Sequence, residues 1–547
     1  MRSKKLLIGL LVLLCLAGTL AIGGSLVAER LVRKKLDSVF ASVTRALSPG
    51  SRLDYGAFSL HPFSLSASLE DVHLRDPQKG LDVQVDRIRA GMPRFRGRSL
   101  DAIDIELRGL SATVSGGQAA SVSGGQAASV SGGQAAGASG GKTASGGARA
   151  SLSLDRLEVD GLRVPPLMDL ARNRPAALSG PVFRTLDVGT IVLESLQADL
   201  SPAEPKPPRP SAAAPAASPD ADAARDVRVA LDRLEIDAIR QGQIGTLQAD
   251  GFSAVRGNAD LAVRQLSLSG LEPGRALDWF QRTGGNIYRQ ARLDVDFFGL
   301  SALSVDGIRA RLDARPLEIG RFFMVDLDSS SNFPVRMTLG VQGLVLPWAL
   351  LPDSVREGDI GRYLKANRLT ALPISLEWRH ALDEDRRLFL FGPMTADLGP
   401  LGVFRGRLDL SNVDRGTLSD LAEHQERFIN SVKIRGALVE LDAGPSTASL
   451  IDFALGLGKT TRPELIARFE PGGDIGQSAV LVLGEQRGTQ LAGAARSFLQ
   501  SPARFRFSAD AGDGAMDLDT LGLTLSNSAR DLARAYNVET TYERTRP

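Results

Sequence analysis

Apolar residues recur through this chain as couplets whose two members stand two positions apart. Within one run, successive couplets begin five positions apart. Because side chains two apart share a face of a β-strand, each couplet predicts a stretch of strand with one apolar face. The couplets predicted to line one such face are Leu152/Leu154, Leu157/Val159, Leu186/Val188, Ile191/Leu193, Val229/Leu231 and Leu234/Ile236.

The step between couplets covers three residues, which moves the side chain to the other face of a regular strand. A β-bulge can restore the face and bend the strand. Alternatively, a twisting strand can bury opposite faces along its two halves. A solenoid of five-residue turns needs many consecutive repeats. The chain breaks each run after two or three couplets, so a solenoid is excluded.

Runs of couplets start at residues 152, 186, 229, 261 and 303, at intervals of 34, 43, 32 and 42 residues. An interval of this length fits a long strand, a turn and a return strand. The predicted fold is therefore mainly β, and α+β overall. Residues 51–345 are expected to form an extended, curved antiparallel sheet of repeated hairpins.

Two segments inside this β domain have the composition of linkers. Residues 115–147 repeat the unit Ser-Gly-Gly-Gln-Ala-Ala-Ser-Val, and residues 202–224 hold seven Pro among Ala, Ser and Asp. Segments with so few large apolar side chains bury too little surface to offset the entropy lost on ordering. Both are predicted to be disordered insertions, because the couplet pattern resumes after each.

Residues 346–547 are predicted to form an α+β domain, because helical and strand periodicities alternate there. The helices predicted from residue 273 onward cover 273–284, 358–369, 416–431, 446–458, 484–500 and 526–536. The strands predicted between them cover 335–341, 374–378, 389–391, 432–441, 465–469 and 505–507.

The N-terminal segment from Leu6 to Ala28 contains 23 residues without a charge. At 1.5 Å per residue this length crosses a hydrocarbon core of ~30 Å. A cleaved signal peptide is the alternative, but its apolar region is usually ~7–15 residues long. We therefore predict a transmembrane anchor over residues 1–28, followed by a helical stem over residues 29–50.

Charge argues against a nucleic-acid partner. Residues 1–35 carry seven basic residues and one acidic residue, whereas the rest of the chain carries 58 basic and 62 acidic residues. Clustered positive charge supplies most of the affinity for nucleic acid, and the body of this chain lacks such an excess.

No arrangement of residues in the sequence indicates an enzyme, a metal site or a cofactor. The single Cys15 excludes a disulfide framework, and the four His are widely scattered. Gly456 to Thr460 departs from the phosphate-loop pattern and is expected to end a helix at Gly458. His380, near Asp383-Glu384-Asp385, is predicted to lie in an exposed hairpin turn. The carboxylates at residues 510, 513, 517 and 519 depart from EF-hand spacing and are interpreted as a solvated turn between two strands.

The region after the apolar segment resembles a known family. The words Leu53-Asp-Tyr-Gly-Ala-Phe-Ser-Leu60, Val83-Gln-Val-Asp-Arg-Ile-Arg89 and Ile103-Asp-Ile-Glu-Leu107 follow one another there. In this order they resemble the start of AsmA-like proteins of Gram-negative bacteria. The resemblance covers the anchor and residues 50–115, and extends loosely to about residue 345. The C-terminal third is similar to YdgA-like proteins anchored in the inner membrane.

The resemblance implies a single-pass inner-membrane protein whose body is a β-rich groove in the periplasm. It also implies phospholipid as a partner and a role in lipid transfer or outer-membrane maintenance, with no catalytic residues. From the residues alone, two arrangements stay open for the apolar face: an open groove that holds acyl chains, or a dry sandwich of two sheets. The dry sandwich corresponds to an envelope scaffold or assembly factor that binds protein partners.

Overall fold

A computed structural model describes the part of the chain that carries most of the predicted strands. The described residues are 37, 40–41, 50–61, 66–78, 80–91, 94–96, 99–115, 149–162, 187–201, 226–274, 299–312, 315–328, 334–418, 425–511, 515–517 and 535–544. The predicted anchor, both predicted insertions except Ser115, and most of the predicted stem lie outside these residues. Within the described part, no helix has both the length and the apolarity that crossing a membrane requires.

Contacts divide the chain into two units. Unit 1 comprises residues 1–263 and 273–278, and unit 2 comprises residues 264–272 and 279–547.

Unit 1 is an antiparallel sheet in which most strands pair with their neighbours in sequence. Its strands are β1 (Arg52–Asp54), β2 (Ala57–His61), β3 (Ser66–Asp76), β4 (Leu81–Gly91), β5 (Arg94–Arg96), β6 (Ser99–Ser115), β7 (Arg149–Leu162), β8 (Val188–Ser201), β9 (Val227–Arg240), β10 (Gln243–Arg256) and the first residues of β11 (Ala259–Leu271). β1 and β2 both pair with one edge of β3. From β3 the ladder continues through β4, β6, β7, β8 and β9 to β10, while β5 pairs only with β6.

Unit 2 continues the same pattern with helices between some strands. Its strands are β12 (Ala302–Leu312), β13 (Arg315–Val325), β14 (Arg336–Pro347), β15 (Ala371–Asp383), β16 (Leu388–Asp397), β17 (Gly402–Ser411), β18 (Lys433–Ala443), β19 (Arg504–Asp510), β20 (Met516–Asp517) and β21 (Asn537–Glu543). β12 to β19 pair in sequence order, β21 pairs with β19, and β20 extends the pairing of β18. The prediction of a mainly β chain built from repeated antiparallel hairpins is therefore confirmed.

The helices of unit 2 lie in three of the connections between strands. They are α1 (Asp353–Glu357), α2 (Asp359–Ala366), α3 (Gln425–Ser431), α4 (Thr447–Leu457), α5 (Arg462–Arg468), α6 (Asp474–Leu483) and α7 (Glu485–Gln500). The helices predicted at 446–458 and 484–500 are confirmed, and Gly458 ends α4 as expected. The helices predicted at 273–284 and 526–536 lie mostly outside the described residues.

Two sequence-based predictions in unit 2 are wrong. The strand predicted at 465–469 is helix α5, because Thr461 and Glu464 form a reciprocal capping box that starts a helix there. His380 lies within β15 with 2% of its surface exposed, and its Nε2 is 2.8 Å from the Pro334 carbonyl oxygen. The turn itself forms after it, where the Arg386 amide donates to Asp383.

The three-residue step between couplets is accommodated in unit 1 by left-handed residues. Asp71, Gly109, Ser195 and Gly251 have φ of 54°, 60°, 58° and 67°, and they lie on every second strand of the ladder from β3 to β10. The register is the same on both sides of the step, since Leu107 faces Leu157 and Leu110 faces Leu154. On β3, β6, β8 and β10 the left-handed residue thus restores the face without the extra residue of a β-bulge, while the facing strands β4, β7 and β9 have no positive φ at the step.

Candidate functional site

The register of unit 1 aligns the couplets of successive strands into four apolar rows that run across the sheet. Row 1 contains Ala67, Ala90, Ile105, Val159, Ile191, Ile236 and Leu247, and row 2 contains Leu69, Ile88, Leu107, Leu157, Leu193, Leu234 and Ala249. Row 3 contains Val72, Val85, Leu110, Leu154, Leu196 and Leu231, and row 4 contains Leu74, Val83, Ala112, Leu152, Ala198, Val229 and Ala254. Together the four rows form one apolar face.

Ten of the twelve residues predicted to line this face lie in the four rows. Val188 lies beyond row 1, where it faces Ile239 and is buried. Leu186 lies outside the described residues. The couplet pattern does not predict Leu247 and Ala249 of β10 as part of this face, because Ala and Gly replace larger apolar residues on that strand. The turn at Gln241-Gly242 joins β9 and β10 in a hairpin. Its register, which pairs Ile236 with Leu247 and Leu234 with Ala249, is the signal that could have identified these two residues.

The opposite face of the same strands carries a network of ion pairs. Arg156 on β7 reaches Glu158 at 2.7 Å, Glu106 on β6 at 3.4 Å and Glu194 on β8 at 3.9 Å. Arg233 on β9 continues the network, at 3.8 Å from Glu194 and 2.9 Å from Glu235. Exposed pairs of this kind contribute little stability each. Their effect is to fix which face of the sheet is in water.

On the ion-paired face, several carboxylates lie close together at the end of the strands near row 1. Burial raises the pKa of Asp160, and the nearby carboxylates of Glu158 and Asp104 raise it further. Like charges in proximity disfavour ionisation, and Arg156 offsets only part of this effect.

Rows 1 to 3 are buried on β3, β4 and β6, whereas most of their residues on β7 to β9 are half-buried. In row 2, Leu69 and Ile88 are 0% exposed and Leu107 is 1% exposed, whereas Leu157, Leu193 and Leu234 are half-buried. Row 1 changes in the same direction between β6 and β8. Rows 1 to 3 on β3, β4 and β6 therefore lie in a closed core. On β7 to β9 the same rows are half-buried except at Leu154 and Val159, which are buried, and Ala249 on β10 is buried again.

An aromatic contact lies beside the closed side of the sheet. Phe40, which has helical backbone, is buried and meets the ring of Tyr55 with centroids 5.2 Å apart at an angle of 60°. Tyr55 also donates a hydrogen bond of 2.8 Å from its hydroxyl to Asp37. The predicted stem is thus described at four positions: Asp37, Phe40 and Ala41 are helical, and Gly50 is in a turn. Asp37 and Phe40 contact Tyr55.

Unit 2 has an apolar face of its own that is rich in aromatic residues. One row across it contains Phe322, Val341, Leu376, Ala396, Phe404, Leu441, Phe505 and Tyr542. A core cluster around Phe389, Leu410 and Phe428 closes one end of this face. Helix α7 covers its last strands through Phe498, whose ring lies 5.7 Å from that of Phe505. Between these covers Leu376 is 45% exposed.

The buried polar side chains of unit 2 make hydrogen bonds and packing contacts within the fold. Glu440 on β18 accepts hydrogen bonds from Arg405 at 2.9 Å and from Arg504 at 2.7 Å. Burial lowers the pKa of His380, which packs between Trp378 and Phe389. Among the described residues, no group of three His, Cys, Asp or Glu side chains is placed to hold a metal ion. Of the predicted acidic turn, Asp510 ends β19 and Asp517 lies in β20, while residues 513 and 519 lie outside the described part.

Comparisons with known proteins give no relatives. No protein-family model matches the chain, and neither a curated protein nor a solved structure is similar to it at a significant level.

Proposed function

We propose that this protein binds the acyl chains of phospholipid on the apolar face formed by rows 1 to 4 of unit 1. The part of the face proposed to be occupied lies on β7, β8 and β9, where Leu157, Leu193 and Leu234 stand side by side. Phospholipid transfer and maintenance of the bacterial envelope are the proposed biological roles. No bond-making or bond-breaking step is part of the proposal.

The observation that carries the proposal is the change in burial along row 2. The strands of this sheet share one amphipathic pattern. If other parts of the protein alone covered the apolar face, equivalent residues on each strand would be expected to be buried to a similar extent. Here the same Leu row passes from complete burial at Ile88 to half-burial at Leu193. A contiguous row of half-buried Leu side chains of this kind fits an apolar partner. Aliphatic chains fit it, because the lining side chains are mostly aliphatic.

The location in the cell is part of the same proposal. The uncharged run from Leu6 to Ala28 is proposed to anchor the chain in the inner membrane of a bacterium, with the body in the periplasm. Its support is the length of that run and the resemblance to AsmA-like proteins. An anchored body with an accessible apolar face would receive lipid from a membrane to which it is already tethered.

A second candidate function is supported by the closed side of the sheet. Leu69, Ile88 and Leu107 are packed as a dry core, so at least part of the apolar face serves folding alone. If partner proteins also cover the face on β7 to β9, the protein is an envelope scaffold or assembly factor with no bound lipid.

Site-specific photo-crosslinking separates the two functions. A photoreactive residue is placed at Leu157, Leu193 or Leu234 of the full chain in bacterial cells, and lipid attached to the protein is identified by mass spectrometry. We expect phospholipid adducts at all three positions, because all three lie half-buried on the same row. Protein adducts in place of lipid at all three would support the scaffold and contradict lipid binding.

The matched controls lie on the opposite face of the same strands. Glu235 is the immediate neighbour of Leu234 and faces the ion-pair network. Val255 is apolar and 42% exposed, but faces Arg228 on the outer face of β9. Lipid adducts at Val255 as frequent as those at Leu234 would mean that the label reacts with any nearby bilayer, and the proposal would fail.

A further inference from the structure

Among the described residues of β6 to β10, one charged residue stands on the apolar face, and neither the proposed binding of acyl chains nor the ion-pair network accounts for it. Beyond row 4 the register defines a fifth row, which runs from Asp76 through Leu81, Val114, Ala150, Leu200 and Val227 to Arg256. Over rows 1 to 5, Arg256 is the single charged residue that the described parts of β6 to β10 place on this face.

The surroundings of Arg256 combine an apolar surface with an available cation. Leu200, two strands away in the same row, is 50% exposed, and Arg256 itself is exposed. The other charged residues at this end of β7 to β9 are on the outer face, where Arg228 is held by Asp199 at 2.9 Å. Arg256 has no ion-pair partner among the residues that the structure describes.

The two ends of these strands differ in charge. On β7 to β10 the end beyond row 1 is acidic among the described residues, since Asp160, Asp187 and Asp237 outnumber Arg240 there. An anionic group attached to an apolar chain would therefore be repelled from the end beyond row 1. It would be attracted to the end at row 5, where a guanidinium is next to exposed apolar side chains.

We propose that Arg256 binds the phosphate of an anionic lipid headgroup, with the acyl chains extending from row 5 toward row 1. A guanidinium presents paired N–H donors that match phosphate oxygens, and such charge-assisted hydrogen bonds are stronger than neutral ones. The inference rests on the proposed function, because it assigns an orientation and a headgroup class to the lipid proposed there. The preferred ligand is an anionic phospholipid in place of a zwitterionic one.

The test compares two single-chain lipids that differ in net headgroup charge. The full chain, purified in detergent and transferred to an amphipathic polymer, is titrated with fluorescent lysophosphatidylglycerol or with fluorescent lysophosphatidylcholine. We expect the anionic lipid to bind about fivefold more tightly, the upper range for an exposed ion pair. Arg256→Gln should abolish the preference, because it weakens binding of the anionic lipid more than binding of the zwitterionic lipid, whose phosphate is partly offset by its own choline cation. Raising the salt concentration should weaken the preference in the unsubstituted chain.

The matched control is Arg240→Gln, which removes one exposed cation from the opposite end of β9. It should retain the full preference for the anionic lipid. Equal binding of the two lipids by the unsubstituted chain, or an unchanged preference in Arg256→Gln, would overturn the assignment of Arg256 while leaving acyl-chain binding intact. Failure of both lipids to bind would overturn the proposed function together with this inference.

Discussion

At the residue scale, Gly109 shows how the left-handed step constrains the sequence. Its φ is 60°, and a Cβ at this position would lie 2.0 Å from the Asp86 carboxylate oxygen on the neighbouring strand. Gly251 has the same relation to Asp232, at 1.9 Å. A residue with a side chain would meet both a strained backbone and a collision. Glycine at these two positions is therefore a requirement of the register.

We predict that Gly109→Ala lowers the free energy of unfolding of unit 1 by about 2 kcal/mol or more, because strain and collision add. Thermal unfolding followed by circular dichroism measures the change. Gly493→Ala in helix α7 is the matched control, since a Cβ there would meet nothing within 4 Å. It should leave the protein as stable or slightly more stable. A Gly109→Ala protein with unchanged unfolding would contradict the strain argument.

His380 provides a pH dependence whose sign follows from burial. Its pKa in the folded protein is lowered from 6.5 by burial, so the folded state resists protonation more than the unfolded state does. Its contribution to stability is therefore fully present above the unfolded-state pKa. The contribution is lost as the pH falls through that value toward the lowered folded-state pKa.

We predict that the unfolding temperature drops between about pH 7.5 and about pH 5.5, and that His380→Gln reduces this drop. Replacement of His73, which is half-exposed beside Asp82, is the comparison. Unchanged pH dependence in His380→Gln would show that other groups cause the drop.

At the element scale, Glu440 joins three strands. It lies on β18, is almost fully buried, and accepts hydrogen bonds from Arg405 on β17 and Arg504 on β19. The pKa of Arg405 is raised chiefly by its hydrogen bond to Asp442, and that of Arg504 chiefly by its hydrogen bond to Glu440. Asp442, on the same strand, is more exposed than Glu440.

We predict that Glu440→Gln destabilises unit 2 by about 1–2 kcal/mol, because two guanidinium groups lose a shared, buried carboxylate. The two Arg side chains are partly exposed, so solvent limits the cost. Asp442→Asn should cost less, since its carboxylate is more exposed. Chemical denaturation of both variants gives the comparison. An equal loss in the two would contradict the role assigned to the burial of Glu440.

Most of the strands could be predicted from the sequence because couplets report a period directly. The couplets at 152–159 and 229–236 are sufficient to place β7 and β9, and with them eight residues of the apolar face. The burial of each apolar residue could not be predicted, because it depends on contacts with residues distant in the sequence. The half-burial of Leu193 and the full burial of Ile88 arise from identical patterns, since burial depends on what packs above each strand. Helix α5 was missed because its capping box was overlooked beside an apolar run.

At the scale of the whole molecule, the closed and accessible parts of the apolar face in unit 1 should respond differently to the same substitution. Ile88→Lys places a charge in a closed core, which costs several kcal/mol and is expected to prevent folding. Leu234→Lys places it on the accessible part, where the long side chain can extend its ammonium into water. The folded Leu234→Lys protein should lose lipid binding.

Soluble expression, protease resistance and bound lipid distinguish these outcomes. If Leu234→Lys unfolds the protein as completely as Ile88→Lys does, the face on β7 to β9 is a closed core and not a binding surface. If it folds and retains its full complement of lipid, lipid binds elsewhere on the molecule.

The left-handed residues at the step on β3, β6, β8 and β10 alternate with facing residues on β4, β7 and β9 whose φ is not positive. Strands with and without a left-handed residue at the step alternate in this sheet. Inserting or deleting a single strand would therefore pair two strands that both have the left-handed residue, or two that both lack it. Only an even number of strands can be gained or lost without disturbing the alignment of every later row. Lengthening by gene duplication would therefore proceed in whole hairpins, and the reach of the molecule would grow in increments of two strands, roughly 10 Å at a time.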